Sequence, residues 1–300
     1  MSLQGDTVGG LGCHHSVVVG HGGLSDSGMG LEHVPGITVL SAPPTEPSAI
    51  AVLATDFADG TAPPAVWLDR LRERTGLTIA AVGAPATAEG IDPDTAREIE
   101  RLRSAVDATV VVPPGRHQWG IRSVVTTIHD IVVRPGVINL DPADIRTVLE
   151  SGEAAVIATG TARATDDVAA DAMDAVEDAL DASGADIDGL TAVLVNVVGS
   201  GDLTLESAVD ALDGIRASLP HETVLIWGVA VDESLSGVHA QVVAGAAQTP
   251  ILDRLVREAR QPAGGEGCPR CGGHVAVYSL GDNETAACED CGYAGISTSL

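Results

Sequence analysis

The chain has 300 residues, is 45% hydrophobic and only 2% aromatic, and carries a formal net charge of −26. That length and apolar content suffice for a substantial core in one large or two moderate domains. Nucleic acid is excluded as a default partner, because phosphate binding needs clustered cations and base stacking needs aromatic rings.

All sixteen basic residues are Arg, and Lys is absent. This acidic, Lys-free composition reads as adaptation to a salt-saturated cytoplasm of the haloarchaeal kind. Screening there shortens the Debye length to about 3 Å at 1 M salt, so the charge steers little. The start MSLQGDTVGG has no positive n-region and no apolar h-region, and no apolar run is long enough to span a bilayer. A cytoplasmic protein is expected.

Apolar runs at 16–20, 37–41, 49–55, 77–83 and 107–113 read as buried strands, continuous enough for parallel strands covered on both faces. Segments 63–76 and 93–106 between them read as helices with an apolar stripe and Arg and Glu outside. Asp92 and Pro93 open the second as N-cap and first-turn proline. The alternation predicts an α/β fold with a doubly wound parallel sheet. A longer apolar helix runs from Trp119, read as an anchor at its start, to Val133 and stops at Pro135-Gly136. A second α/β block follows, with helices at 142–151, 166–182 and 204–218 and strands at 154–160, 191–198, 223–231 and 239–246. Helix 250–260 and the linker QPAGGEG lead to a small module. The expected division is 1–117, a central helix 118–136, a second domain 137–248, a helix and linker 249–267, and the module 268–300.

Within RPGVINLDPADIRTVL, Asn139, Asp141 and Asp144 place an amide and two carboxylates on one short loop. Chemically they can hold and polarise a water molecule. Asp141-Pro142-Ala143-Asp144 reads equally as a helix start, with Asp as N-cap, Pro in the first turn and an acid completing a capping box. In the last module, Cys268-Pro-Arg-Cys271 and Cys288-Glu-Asp-Cys291 form two CxxC knuckles. Four thiolates at this spacing suit a closed, structural tetrahedral Zn²⁺ site with no open position for catalysis. With strands at 275–280 and 285–290, the module reads as a zinc ribbon.

Pro135-Gly136, Asn139-Leu140-Asp141 and Ala143-Asp144 together resemble the synergy loop of the FtsZ/tubulin superfamily. The strings EIERLRSAVDATVVVP (98–113), AAVIATGTARATDDVAADAMDAV (154–176) and GLTAVLVNVVGSGDLTLESAVDAL (189–212) resemble the same family in the same order. The resemblance implies a reduced Rossmann-like nucleotide domain, a central helix and a second α/β domain. It also implies that Asn139, Asp141 and Asp144 reach the GTP of a neighbouring subunit. The family's phosphate loops fall on Gly20, Gly22, Gly23, Gly60 and Thr61. Departures surround those positions: Asp56, Asp59, Pro63 and Pro64 bring like charge and missing amides to a polyphosphate site. Like charges 4 Å apart repel by roughly 4 kcal/mol at an effective dielectric of about 20. The GTP site is therefore read as degenerate, and the chain as a non-catalytic partner or regulator of cell-division filaments, contacting FtsZ/tubulin-like subunits or itself. One alternative is an active, polymerising GTPase using the residues just named; another is a zinc-ribbon nucleic-acid-associated factor with a scaffold domain.

Overall fold

The computed structural model describes residues 16–21, 30–31, 33–57, 63–83, 93–112, 117–134, 136–152, 154–162, 165–183, 185–246, 250–260, 268, 275–280, 283–288, 290–292 and 294–296. Gly22, Gly23, Asp59, Gly60, Thr61, Asp92 and Cys271 lie outside them.

The first block runs β1 (Ser16–Gly20), β2 (Ile37–Leu40), β3 (Ser48–Asp56), α1 (Ala65–Arg74), β4 (Thr75–Gly83), α2 (Pro93–Ala105) and β5 (Ala108–Val112). The central helix α3 (His117–Val133) leads to the second block: β6 (Gly136–Ile138), α4 (Pro142–Leu149), β7 (Ala154–Ala162), α5 (Thr165–Ser183) and β8 (Leu190–Gly199). It continues with α6 (Leu205–Ser218), β9 (Val224–Val231), β10 (Val238–Ala246) and α7 (Pro250–Arg260). No described helix is long and apolar enough to cross a membrane.

One ten-stranded sheet carries both blocks in the order β2-β1-β3-β4-β5-β7-β10-β8-β9-β6. The first five strands are all parallel, as their uninterrupted apolar runs predict. The second half is mixed: β10 runs antiparallel to both β7 and β8, and the short edge strand β6 is antiparallel to β9. The two halves join through one register pair, Val110 with Ala155.

Three apolar clusters hold the layers. Alternate residues of β3, β4 and β5 meet Ile121, Val124, Val125, Ile128 and Ile131 of α3 on one face. The opposite face of the first block packs on Leu68, Leu71, Ile99 and Leu102 of α1 and α2. Val156, Val193 and Val195 of the second block pack beneath α5 and α6. The amphipathic stripe of α7 adds Leu252, Leu255 and Val256 to the cluster of the first block, and Arg103 of α2 donates to Asp253 at 2.6 Å. The chain thus leaves the second block and returns to clasp the first. The last residues add an antiparallel sheet of β11 (Val275–Leu280), β12 (Asn283–Cys288) and β13 (Ala294–Ile296).

Candidate functional site

The loop between β6 and α4 takes its shape from four local features. Asn139 Oδ1 accepts from the Gly136 amide at 2.8 Å, closing the turn. Leu140 is buried against Gly228, where an added Cβ would lie 2.6 Å from the leucine Cγ. Asp141 Oδ1 accepts from the amides of Ala143 (2.7 Å) and Asp144 (3.0 Å). In return, Asp144 Oδ2 accepts from the Asp141 amide at 2.9 Å, completing a full capping box with Pro142 in the first turn. The helix-start reading of these residues is therefore correct. It still leaves Asp141 Oδ2 and Asp144 Oδ1 without a partner among the described residues, with Asp141 exposed and Asp144 half-buried.

Two arginines brace the loop from either side. Arg134, just before it, ion-pairs with Asp130 at 3.4 Å and with Asp232 in the β9–β10 turn. The Ser234 hydroxyl and amide, joined by the Arg134 guanidinium, lower the Asp232 pKa to about 2. Arg146, just after the loop, donates to Glu150 (2.9 Å), to Asp107 (3.1 Å) and to the carbonyl of Gly76. Asp107 in turn accepts from the Thr78 amide at 2.7 Å, so α4 is tied to the first block. Val133, Val137 and Val231 lie exposed around this end of the molecule. Sequence reading missed both braces, since their partners are remote in the chain; only the i, i+4 pair Arg146–Glu150 was visible there.

Of the positions matched to phosphate binding, only Gly20 is described; it ends β1 on the side of the sheet where α3 begins. β2 and β3 flank β1 on opposite sides, so the strand order reverses direction between β1 and β3, beside Gly20 and Asp56. Gly20 pairs with Ala54, and the His21 amide donates to the Ala54 carbonyl at 2.9 Å. His21 stacks edge-on against Trp67 with ring centroids 5.6 Å apart. Its Nδ1 is buried without a partner among the described residues, and burial lowers its pKa below the ordinary 6.5. Asp56 is half-buried beside the fully packed Phe57. Trp119 corrects its expected role as an anchor: it is 67% exposed, because Gly120 and Ile121, not the indole, meet the sheet.

Seventeen residues of α3 separate the two ends, about 25 Å at 1.5 Å per residue. The carboxylates of one chain therefore cannot reach the ends of its own β1 and β3.

In the last module, the Sγ atoms of Cys268, Cys288 and Cys291 lie within 4.8 Å of one another. Cys268 and Cys291 are 3.7 Å apart, far beyond a disulfide bond. Tetrahedral Zn–S bonds of about 2.3 Å would set neighbouring sulfurs about 3.8 Å apart, so the three thiols fit that ion. Gly292, at φ +67°, donates its amide to the Cys288 carbonyl at 3.1 Å and closes the second knuckle.

The model of the FtsZ family C-terminal domain matches residues 152–259. The cell division protein FtsZ of Haloferax mediterranei is 34% identical over 199 residues, covering 60% of this chain and 52% of the relative. The chain thus spans about half the length of the curated relative it matches. Among solved structures, a Methanocaldococcus jannaschii FtsZ, the W319Y mutant, has a TM-score of 0.59 at 19% identity, covering 77% of this chain and 90% of that one. TubZ of Bacillus thuringiensis in GDP-form protofilaments has a TM-score of 0.52 at 14% identity, covering 71% and 65%. At such identities the structural likeness speaks for the fold, while the sequence matches speak for descent. Together these findings support kinship with the FtsZ/tubulin superfamily: residues 152–259 match the FtsZ C-terminal domain, and the described fold is that of solved FtsZ.

Proposed function

We propose that this chain is a filament-associated partner in the FtsZ family's cell-division role, one that does not turn over GTP itself. It presents Asp141 and Asp144 to the nucleotide end of another FtsZ-type subunit. The observation that carries this reading is the braced loop, with Asp141 exposed, Asp144 half-buried and exposed valines nearby, about 25 Å from the far end of α3. An exposed apolar rim around fixed polar groups is the make-up of a protein contact. Asp56 at the end of β3 argues against a polyphosphate there. The cysteines act as a structural Zn²⁺ site, with Cys271 as fourth ligand, and form a second contact module.

Calorimetric titration with GTP in molar KCl tests the first part, with no binding expected below millimolar nucleotide. Sedimentation with a polymerising FtsZ tests the second, and the chain is expected in the pellet. Tight, specific GTP binding by the isolated chain overturns the proposal.

A second reading, a divergent GTPase using Gly20, Gly22, Gly23, Gly60 and Thr61 for phosphate, is favoured by one observation. The strand order of the five parallel strands keeps a topological switch point between β1 and β3. In that case Asp141→Ala abolishes turnover and stabilises polymers.

A further inference from the structure

A third feature takes no part in the proposed contact: a cavity of about 640 Å³ at the seam where the two halves of the sheet meet. Its origin is topological. β5 and β7 share only the pair Val110–Ala155 and then part, while β7 continues to Ala162 along β10 on its other side. The space between them stays open because Gly120, Ala158, Ala175 and Ala179 offer no side chain large enough to fill it. α3 is already at its closest approach to β5, since a Cβ on Gly120 would lie 2.3 Å from Val112 Cγ1. The seam therefore cannot close by sliding the helix inward.

We infer that this seam binds a small molecule with a flat, fused-ring apolar body and a cationic amine at one end. The volume lies within the range of ligand pockets, about 300–1,000 Å³. Its walls are Val110, Val112, Val124, Val156 and Ile157, and the indole of Trp119, 67% exposed, supplies a stacking face. The hydroxyls of Ser123, Thr159 and Thr161 give the ring body hydrogen-bond partners. Asp178 is the one charged residue among the described lining residues, and α5 carries Asp174, Glu177 and Asp181 close to it in sequence. Among the described residues no Arg lines the cavity, and an ammonium there gains both a carboxylate and a cation–π contact.

The test is fluorescence titration of the full chain with dansylcadaverine, a naphthalene sulfonamide bearing a primary amine. Neutral dansylamide and anionic 8-anilinonaphthalene-1-sulfonate serve as comparisons. Saturable binding at one site per chain is expected, weaker for the neutral probe and weakest for the sulfonate. Asp178→Asn lowers affinity for the amine by roughly fivefold and leaves dansylamide unchanged, and Trp119→Ala weakens both. Ala179→Phe fills the seam and abolishes binding with the far-UV circular dichroism unchanged. If that variant does not fold, the two rim variants still decide the matter. Equal affinity for amine and sulfonate, or indifference to both Asp178→Asn and Trp119→Ala, overturns the inference.

Discussion

Asp141 does two jobs, and two substitutions separate them. As N-cap it accepts two amides through one oxygen, at 2.7 and 3.0 Å, and as an exposed carboxylate it offers the other oxygen outward. Asp141→Ala removes both functions, whereas Asp141→Asn keeps the cap, because Asn ranks with Asp at this position. Losing a cap costs about 0.5–2 kcal/mol; with two amides orphaned at once, about 1.5 kcal/mol is the fitting figure. The unfolding entropy near 60 °C is about 2.1 cal/mol/K per residue, or roughly 0.6 kcal/mol/K for a chain of this length. Asp141→Ala should then lower Tm by about 2 °C in a calorimetric scan, and Asp141→Asn by less than about 0.5 °C. Added to a polymerising FtsZ, both variants should lose any effect that wild type has on GTP turnover, since both lack the carboxylate. An Asn variant as unstable as the Ala variant would show that charge, not capping, shapes the loop. An Asn variant that keeps full effect on turnover would remove the carboxylate from the proposed contact.

Leu255→Ala deletes a fully buried side chain where α7 packs on the first block, so chemical denaturation should show a loss of about 2–5 kcal/mol. The Asp232 carboxyl has a folded pKa of about 2 against 3.8 unfolded, so its contribution is present above pH 3.8 and fades as pH falls toward 2. Acid titration monitored by circular dichroism should therefore show a shallower stability loss across that window in Asp232→Asn than in wild type. The zinc reading predicts one Zn²⁺ per chain by atomic emission, lost in Cys288→Ser and released by a chelator with loss of order in the last 33 residues but not in the sheet.

The parallel first half was legible because its apolar runs are continuous, and each strand from Ser16 to Val112 appears near its expected place. Direction and order were not legible. Apolar periodicity cannot say that β10 inserts antiparallel between β7 and β8, nor that three residues at 136–138 add an edge strand. The amphipathic stripe of α7 was visible as a helix, but a stripe does not name the surface it will cover. Capping at Asp141 and Asp144 is an i to i+3 relation and was readable. Arg146 with Asp107, 39 residues away, and Arg134 with Asp232, 98 away, depend on tertiary placement. The exposed Trp119 was missed because aromatic residues at helix starts usually pack, and the glycine that displaces it shows its effect only in three dimensions.

The return of α7 to the first block sets a leash. From Arg260 to Cys268 there are eight residue steps, which span at most about 29 Å fully extended. Cys268 is therefore kept within that radius of the end of α7, although the strand that precedes α7 belongs to the opposite half of the sheet. Whatever the module grips is tethered to the end of α7, the helix that packs on the first block.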